Sequence, residues 1–262
     1  MRCQCQKDIS KENAARIRLK YSGNPGADEK RRREMAMEIW ENTSSLVPDD
    51  PPSLYLWRRK LAPLGQNWSV DMRRALLLHP QTKRRYSCLV SAIRTLDGSL
   101  SAVHRIFMLD DGTRADAKSV PERLRVDNAK LSLGTVTGGT AIRVGADPNA
   151  DVLGIAEGIE TAHAFQMRLQ LPCWSTVSSE GMKAVRIPKT IRRVLIGFDV
   201  DPDKVVRGRD VGNAGLKAAV ALRERLIVEA KKDGRPFAVE LHSPPYGFGD
   251  WCEWVEKVMA AG

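Results

Sequence analysis

Two short apolar runs in the second half of the chain each end at acidic residues. Residues 151–156 lead into Glu157-Gly158, and residues 194–198 lead into Asp199-Val200-Asp201. Runs of this length, bounded by turn residues and followed by helical periodicity, are typical of buried strands in a parallel sheet. Strands that alternate with helices pair in parallel through right-handed crossovers. The second half is therefore predicted to be an α/β domain.

The remaining apolar positions complete this half of the chain. Residues 173–177 and 237–241 have the composition of further strands. A helix is predicted after Glu157, and a longer helix is predicted to end at Asp233-Gly234. The longer helix places apolar residues three and four apart, at Ala219, Leu222, Leu226 and Ala230. The predicted architecture is a parallel sheet flanked by helices.

The first sixty residues favour helices over strands. Helices are predicted at residues 11–20 and 28–42, and the second has an apolar face marked by Met35, Ile39 and Trp40. Ser53 is a candidate cap for a third helix that runs through Leu61. We therefore expect residues 1–62 to form a basic helical segment.

Beyond residue 68 the pattern changes to shorter, β-branched runs. Strands are predicted at residues 86–93, 101–108 and 140–144, with Asp97-Gly98 in a turn between the first two. These runs predict a small α+β subdomain over residues 63–148. The Pro- and Asn-containing stretch at 146–150 marks its boundary with the α/β domain, residues 149–262.

Basic residues are concentrated in the first half of a chain whose formal net charge is +10, from 42 basic and 32 acidic residues. The clusters occupy residues 30–33, 58–60, 73–74 and 83–85. Nucleic acid is the expected anionic partner, and binding by this half should weaken as the salt concentration rises. The turn at Asp97-Gly98 is further expected to bring His104 and Arg105 beside Arg94, on a sheet face that could hold a backbone phosphate.

Cysteine usage and the N-terminal sequence bear on the compartment. Five cysteines form an odd, scattered set, which argues against a disulfide framework and fits a reducing environment. Cys3 and Cys5 lack the second pair of ligands that a structural zinc site needs. The chain shows no signal-peptide pattern and no apolar stretch long enough to span a membrane. We expect a cytoplasmic protein without zinc and without a membrane partner.

The acids at the two strand ends predict a metal site. Ligands of open α/β sheets bind beyond the carboxyl ends of the strands, where Glu157, Asp199 and Asp201 are expected to converge. Oxygen donors favour Mg²⁺ or Mn²⁺, and carboxylate-held Mg²⁺ commonly serves phosphate chemistry. For Glu157 alone, a role as a helix cap or turn former remains the alternative. Asp199 and Asp201 alternate along an extended segment and so face one side, which favours metal binding.

These residues resemble the Toprim domain of bacterial-type primases, topoisomerases and some nucleases. Glu157-Gly158 with Glu160 three residues after the first acid, followed by Asp199-Val200-Asp201, is similar to the family's two motifs in order and spacing. The resemblance covers about residues 149–262. It implies that Glu157, Asp199 and Asp201 are the catalytic and metal-binding acids, with Glu160 and then Asp250 as additional metal ligands.

The region before this domain is similar to plasmid and phage primase-like proteins, at Tyr55-Leu-Trp-Arg-Arg59 and Lys130-Leu-Ser-Leu-Gly134 among other segments. In bacterial-type primases a basic residue just upstream of Toprim faces the catalytic crevice. The resemblance therefore implies substrate binding by Lys130 and Gly158, although a solvated loop lysine remains the alternative for Lys130. The zinc-binding module that primases commonly carry is not recognisable in this sequence.

The resemblance implies a DNA primase-like nucleotidyltransferase that makes short oligonucleotides on a single-stranded DNA template by two-metal phosphoryl transfer. Its expected partners are template DNA, nucleoside triphosphates and a replicative helicase, and its expected cofactor is Mg²⁺ or Mn²⁺. A Toprim-type metal-dependent nuclease and a non-catalytic nucleic-acid-binding protein are the alternatives. The candidate nucleic-acid contacts are Arg58, Arg59, Arg84, Arg85, Arg94 and Arg105.

Overall fold

A computed structural model describes residues 25–61, 68–136, 138–145, 147, 149–200, 205–206, 209–210 and 213–258. The helix predicted at residues 11–20 lies outside these ranges. So does Asp201, one of the three acids expected at the metal site.

The first half of the chain forms an antiparallel five-stranded sheet. Its strands are adjacent in the order β1-β2-β3-β4-β5. They span Ser44–Ser45 (β1), Met72–Leu78 (β2), Arg85–Arg94 (β3), Leu100–Met108 (β4) and Lys130–Gly134 (β5). The predicted strands at 86–93 and 101–108 are confirmed, whereas β2 was not predicted. Because β1 pairs with β2, the N-terminal segment contributes a strand to this sheet as well as helices.

Helix α1, Pro25–Glu41, packs across β4 and β5 on one face of this sheet. Its buried residues are Ala36 and Trp40, whereas Met35, expected on the apolar face, is 44% exposed. The prediction is confirmed for Trp40, and Ile39 packs partly against the same core, whereas the position expected for Met35 is taken by Ala36.

Helix α2, Pro51–Arg58, follows β1. It begins one turn before the predicted start, because Asp50 and not Ser53 caps it: the Asp50 carboxylate accepts a hydrogen bond from the backbone N–H of Ser53. Pro51 stands at the first helical position, where its missing N–H costs nothing.

The hairpin between β3 and β4 turns at Gly98, whose φ of 91° favours glycine. A register shift near Arg94 pairs that residue with Leu100, while Arg105 lies opposite Val90. The expectation that His104 and Arg105 would lie beside Arg94 is therefore wrong. These basic residues are separated along the sheet by several residue pairs.

The second half forms a five-stranded mixed sheet from Ile142–Arg143 (β6), Val152–Ala156 (β7), Cys173–Ser175 (β8), Arg193–Gly197 (β9) and Ala238–His242 (β12). A separate two-stranded ribbon comprises Val205–Val206 (β10) and Arg209–Asp210 (β11). The strands of the five-stranded sheet are adjacent in the order β12-β9-β7-β8-β6. All neighbours pair in parallel except the short edge strand β6, which is antiparallel to β8. The predicted α/β domain with parallel pairing is confirmed.

Helices cover both faces of this second sheet. They are Ile159–Leu169 (α3), Ser179–Ala184 (α4), Ala214–Lys232 (α5) and Trp251–Val258 (α6). Leu222 and Leu226 of α5 pack with β9 on one face, and Phe165 of α3 packs with Trp251 of α6 on the other. The α3 side also contacts Ile93 and Ile106 of the first sheet, so one apolar cluster joins the two halves. No helix in the described part of the chain is both long and apolar enough to cross a membrane.

Candidate active site

Acidic side chains gather where the central parallel strands end. Glu157 directly follows β7, and Asp199 lies two residues after the neighbouring strand β9. The chain after β12 returns to the same edge, because the backbone N–H of Val200 donates a 2.7 Å hydrogen bond to the carbonyl of Gly249. Asp250 follows Gly249 and lines the same cleft as the other two acids. All three line one cleft of about 550 Å³.

Another wall of the cleft comes from the first half of the chain. Lys130 and Ser132 alternate along β5 and both line the cleft. His104 of β4 lies directly opposite Ser132, and its Nδ1 is 3.0 Å from the Ser132 hydroxyl oxygen. Burial lowers the pKa of His104 to about 4, so the imidazole is neutral near pH 7. Lys130 thus supplies positive charge to this wall.

Glu160 lies at the bottom of the cleft and is the counter-ion of Lys130. The Nζ of Lys130 is 2.6 Å from Oε1 of Glu160, and the Tyr55 hydroxyl donates to the same oxygen. Burial raises the pKa of Glu160, but the charge of Lys130 and these two hydrogen bonds outweigh it and bring the value to about 2. The carboxylate expected as an additional metal ligand is therefore already held by two donors of the protein.

Gly158, expected to bind substrate, is not required by the local backbone conformation. Its φ of −83° and ψ of 157° are open to any residue. A Cβ there would meet Thr161 and Glu160 only at ordinary contact distances of 3.5 and 3.6 Å. The glycine instead leaves room in the cleft, next to the N-terminus of α3, whose positive dipole end favours anions.

Asp250 has a structural role in addition to lining the cleft. Its Oδ1 accepts a 2.6 Å hydrogen bond from the backbone N–H of Glu253, which caps helix α6. One carboxylate oxygen of Asp250 therefore has a structural partner.

The six arginines expected to bind nucleic acid lie in different environments. Arg59 lines the cleft, and its Nε is 2.9 Å from Oε1 of Glu256 on α6. Arg58, Arg84 and Arg85 are exposed outside the cleft lining. Arg58 also lies 3.3 Å from Asp111.

Arg94 and Arg105 face the side of the first sheet that α1 covers. Arg94 forms a 2.6 Å ion pair with Asp71 and lies over the ring of Trp40. Arg105 lies over Phe107, and burial lowers the pKa of its guanidinium. Both arginines therefore stabilise the packing of this face, away from the acidic cleft.

The donor atoms of the cleft suit a hard divalent ion. Glu157, Asp199 and Asp250 each contribute carboxylate oxygens to the lining of the cleft, and Mg²⁺ and Mn²⁺ prefer such donors. Within the described ranges, no three acidic, histidine or cysteine side chains are close enough to hold a metal ion together. Asp201, the remaining expected ligand, lies outside those ranges.

We expect Asp199→Asn to leave the thermal stability of the metal-free protein level or to raise it, because one charge leaves a group of like charges. Mg²⁺ should raise the melting temperature of the wild type by about 2–4 °C for each kcal/mol of binding free energy, and should have little effect on the variant. Thermal unfolding in EDTA and in Mg²⁺ measures both effects. The exposed Asp49→Asn variant, which changes charge equally, should respond to Mg²⁺ as the wild type does. A variant that melts lower in EDTA and keeps the full Mg²⁺ response would contradict the metal site.

Sequence reasoning did not identify Tyr55 or Ser132 as site residues, and it placed His104 on a phosphate-binding sheet face beside Arg94 instead of at this cleft. One available signal was the spacing of Tyr55 and Arg59, which places both on one face of α2 because residues four apart are neighbours on a helix. A tyrosine and an arginine on one helical face suggest polar partners across an interface. Their partners, Glu160 and Glu256, are more than a hundred positions away in the sequence.

Two family models match the chain. Residues 30–144 match a domain of unknown function (DUF7146), and residues 152–235 match a Toprim domain. The second match covers β7, β9 and the acids that follow them, so the chain contains a Toprim domain. Toprim domains generally bind divalent metal ions, and the match supports a nucleic-acid-related function. A search of curated protein sequences found no match.

Solved structures of primases are similar to this chain at low sequence identity. A DNA primase domain from Pseudomonas aeruginosa is 19% identical over 71% of this chain and 54% of its own, with a TM-score of 0.39. The primase fragment of the bacteriophage T7 primase-helicase protein is 10% identical over 85% and 74%, with a TM-score of 0.46. A DnaG primase catalytic domain bound to single-stranded DNA is 14% identical over 90% and 78%, with a TM-score of 0.47. The chain spans about half the length of the Pseudomonas aeruginosa domain.

Proposed function

We propose that the protein is a primase-like nucleotidyltransferase that synthesises short oligonucleotides on a single-stranded DNA template. The observation that carries this proposal is the cleft itself, about 550 Å³ in volume, which is lined both by the acids that follow the adjacent strands β7 and β9 and by Lys130. This lining suits a triphosphate with a bound metal ion, because the carboxylates can hold the metal ion and the lysine can neutralise phosphate charge.

Each wall has a separate task in this proposal. Glu157, Asp199 and Asp201 would hold Mg²⁺ or Mn²⁺, which when bound neutralises phosphate charge and favours ionisation of an attacking hydroxyl. Lys130 contacts the phosphates from the other wall, with Glu160 as its counter-ion. Gly158 and the N-terminus of α3 leave space and a favourable dipole for the same anion.

The template is proposed to approach along the basic first half. Of the six candidate arginines, Arg59 lines the cleft. Arg58, Arg84 and Arg85 remain candidates for contacts with the DNA backbone because they are exposed. Arg94 and Arg105 are withdrawn from this set, since they take part in packing under α1. A replicative helicase remains a proposed partner from the resemblance alone.

The proposal is tested by incubating the full chain with single-stranded DNA, all four ribonucleotides or deoxynucleotides, and Mg²⁺ or Mn²⁺. New oligonucleotides that depend on template, nucleotides and metal are the expected product. Metal-dependent cleavage of the DNA without synthesis would replace the proposal with a Toprim nuclease. DNA binding with neither product would identify a non-catalytic nucleic-acid-binding protein.

A further inference from the structure

A buried carboxylate joins three distant parts of the chain at the bottom of the cleft. Tyr55 of α2 and Lys130 of β5 both donate to Oε1 of Glu160, at the start of α3. Tyr55 is 5% exposed and Glu160 is 6% exposed, so water has little access to their hydrogen bond. Lys130 is more accessible and extends into the cleft.

We propose that Tyr55 is a positioning residue for Lys130. Its hydroxyl fixes the orientation of the Glu160 carboxylate, and that carboxylate holds the Lys130 ammonium where the phosphates of a triphosphate bind. The inference deepens the proposed function and rests on it for the class of ligand.

The chemistry of the three groups supports this arrangement. A lysine ammonium has three N–H donors on a flexible four-carbon stem, and one donor bonded to Glu160 leaves two for phosphate oxygens. Without a fixed counter-ion, ordering that stem would cost conformational entropy each time a ligand bound. Burial and the negative charge of Glu160 raise the pKa of Tyr55, so its hydroxyl remains a hydrogen-bond donor at physiological pH.

Helix α2 itself is held in place one turn beyond Tyr55. The guanidinium of Arg59 forms a 2.9 Å ion pair with Glu256 and lies 3.2 Å from the sulfur of Cys252, both on α6. The helix is thus attached to α3 and to α6 by neighbouring side chains. A donor on a fixed helix can orient a carboxylate that would otherwise rotate.

The test is a double-mutant cycle read by calorimetric binding of inorganic triphosphate with Mg²⁺ to the full chain. Tyr55→Phe removes only the hydroxyl and is expected to weaken binding roughly three- to tenfold, on the scale of one ordinary net hydrogen bond, because its effect on the ligand is indirect. The second background is Lys130→Met/Glu160→Met, in which an apolar pair replaces the ion pair and is compatible with folding. In that background Tyr55→Phe is expected to change binding less than twofold.

Tyr86→Phe is the matched control. Tyr86 is equally buried, and its hydroxyl donates a single 2.9 Å hydrogen bond to the carbonyl of Leu124, outside the cleft lining. It should leave triphosphate binding unchanged even if it lowers the melting temperature. Glu160→Gln, which keeps an acceptor for Tyr55 but removes the charge, provides a second variant expected to weaken binding.

Each outcome decides the inference. The positioning role is overturned if Tyr55→Phe binds triphosphate as the wild type does. It is also overturned if Tyr55→Phe weakens binding equally in both backgrounds, because the effect of the hydroxyl then does not depend on Lys130. Wild-type binding by Lys130→Met/Glu160→Met removes Lys130 from the phosphate site and overturns the inference with it. If the cycle gives the expected result but no oligonucleotides are made in the synthesis assay, the positioning role stands and the proposed polymerising function fails.

Discussion

Replacing Glu157 by Gln is expected to reduce oligonucleotide synthesis about 100- to 1,000-fold, the scale of losing several kcal/mol of charge stabilisation in the transition state. Gln preserves the size of the side chain and removes the charge that the cleft offers to a metal ion. Binding of template DNA should change little, because the proposed contacts lie on the basic half. Initial rates and DNA affinity, measured on the same preparation, separate the two effects.

Glu224→Gln is the control for this substitution. Glu224 is exposed on α5 of the same domain and lies outside the cleft lining, so its loss of charge should leave the synthesis rate unchanged. Synthesis by Glu157→Gln at the wild-type rate would show that Glu157 is neither a metal ligand nor an acid–base residue. A parallel loss of DNA affinity would instead place the template at the acidic wall.

Glu160→Gln is expected to lower the free energy of unfolding by about 2–3 kcal/mol. The substitution leaves the Lys130 ammonium without its charged partner, and breaking a buried pair from one side is costly, although partial exposure of Lys130 reduces the cost. Urea denaturation near pH 7 measures the difference. The control is Glu240→Gln, which breaks a half-exposed pair with Arg193 and should cost less than about 1 kcal/mol.

The pH dependence of this difference has a definite sign. The folded protein lowers the pKa of Glu160 from 4.5 to about 2, so the stabilisation is complete above pH 4.5 and is lost as the pH falls toward 2. The gap in stability between wild type and Glu160→Gln should shrink by about 2 kcal/mol between pH 5 and pH 3. A gap that stays constant over that range would show that Glu160 is not ionised by its environment as described.

The α/β half of the molecule could be predicted because its signals are local. Each apolar run between turn residues is one strand, and the spacing of Leu222 and Leu226 defines one face of α5. The first sheet was harder, since β2 places two adjacent arginines before three adjacent leucines, and the alternating burial of its residues follows only from its pairing with β3. Helix α2 shows the same limit at its start, where Asp50 and Ser53 are both plausible caps and only the fold selects Asp50.

The candidate site was partly predictable for a related reason. Glu157 and Asp199 end adjacent strands, so a general rule about parallel sheets brings them together. The partners of Glu160 could not be predicted in this way, because Tyr55 and Lys130 reach it only when the two sheets pack together. From the sequence, an acid in the first turn of a helix is expected only to interact favourably with the helix dipole. Glu160 becomes a buried counter-ion because the two sheets pack together.

The contacts at the bottom of the cleft also fix how far its walls can separate. Lys130 and Tyr55 are tied to Glu160, and Arg59 is tied to Glu256, so the first half is attached to both α3 and α6. A hinge motion between the halves would have to break all three contacts, and two of them share one buried carboxylate. Such opening would require sub-global unfolding and would not occur as a fast thermal fluctuation. The width of the entrance is therefore set by folding, and a ligand must enter through the opening that the folded chain already provides.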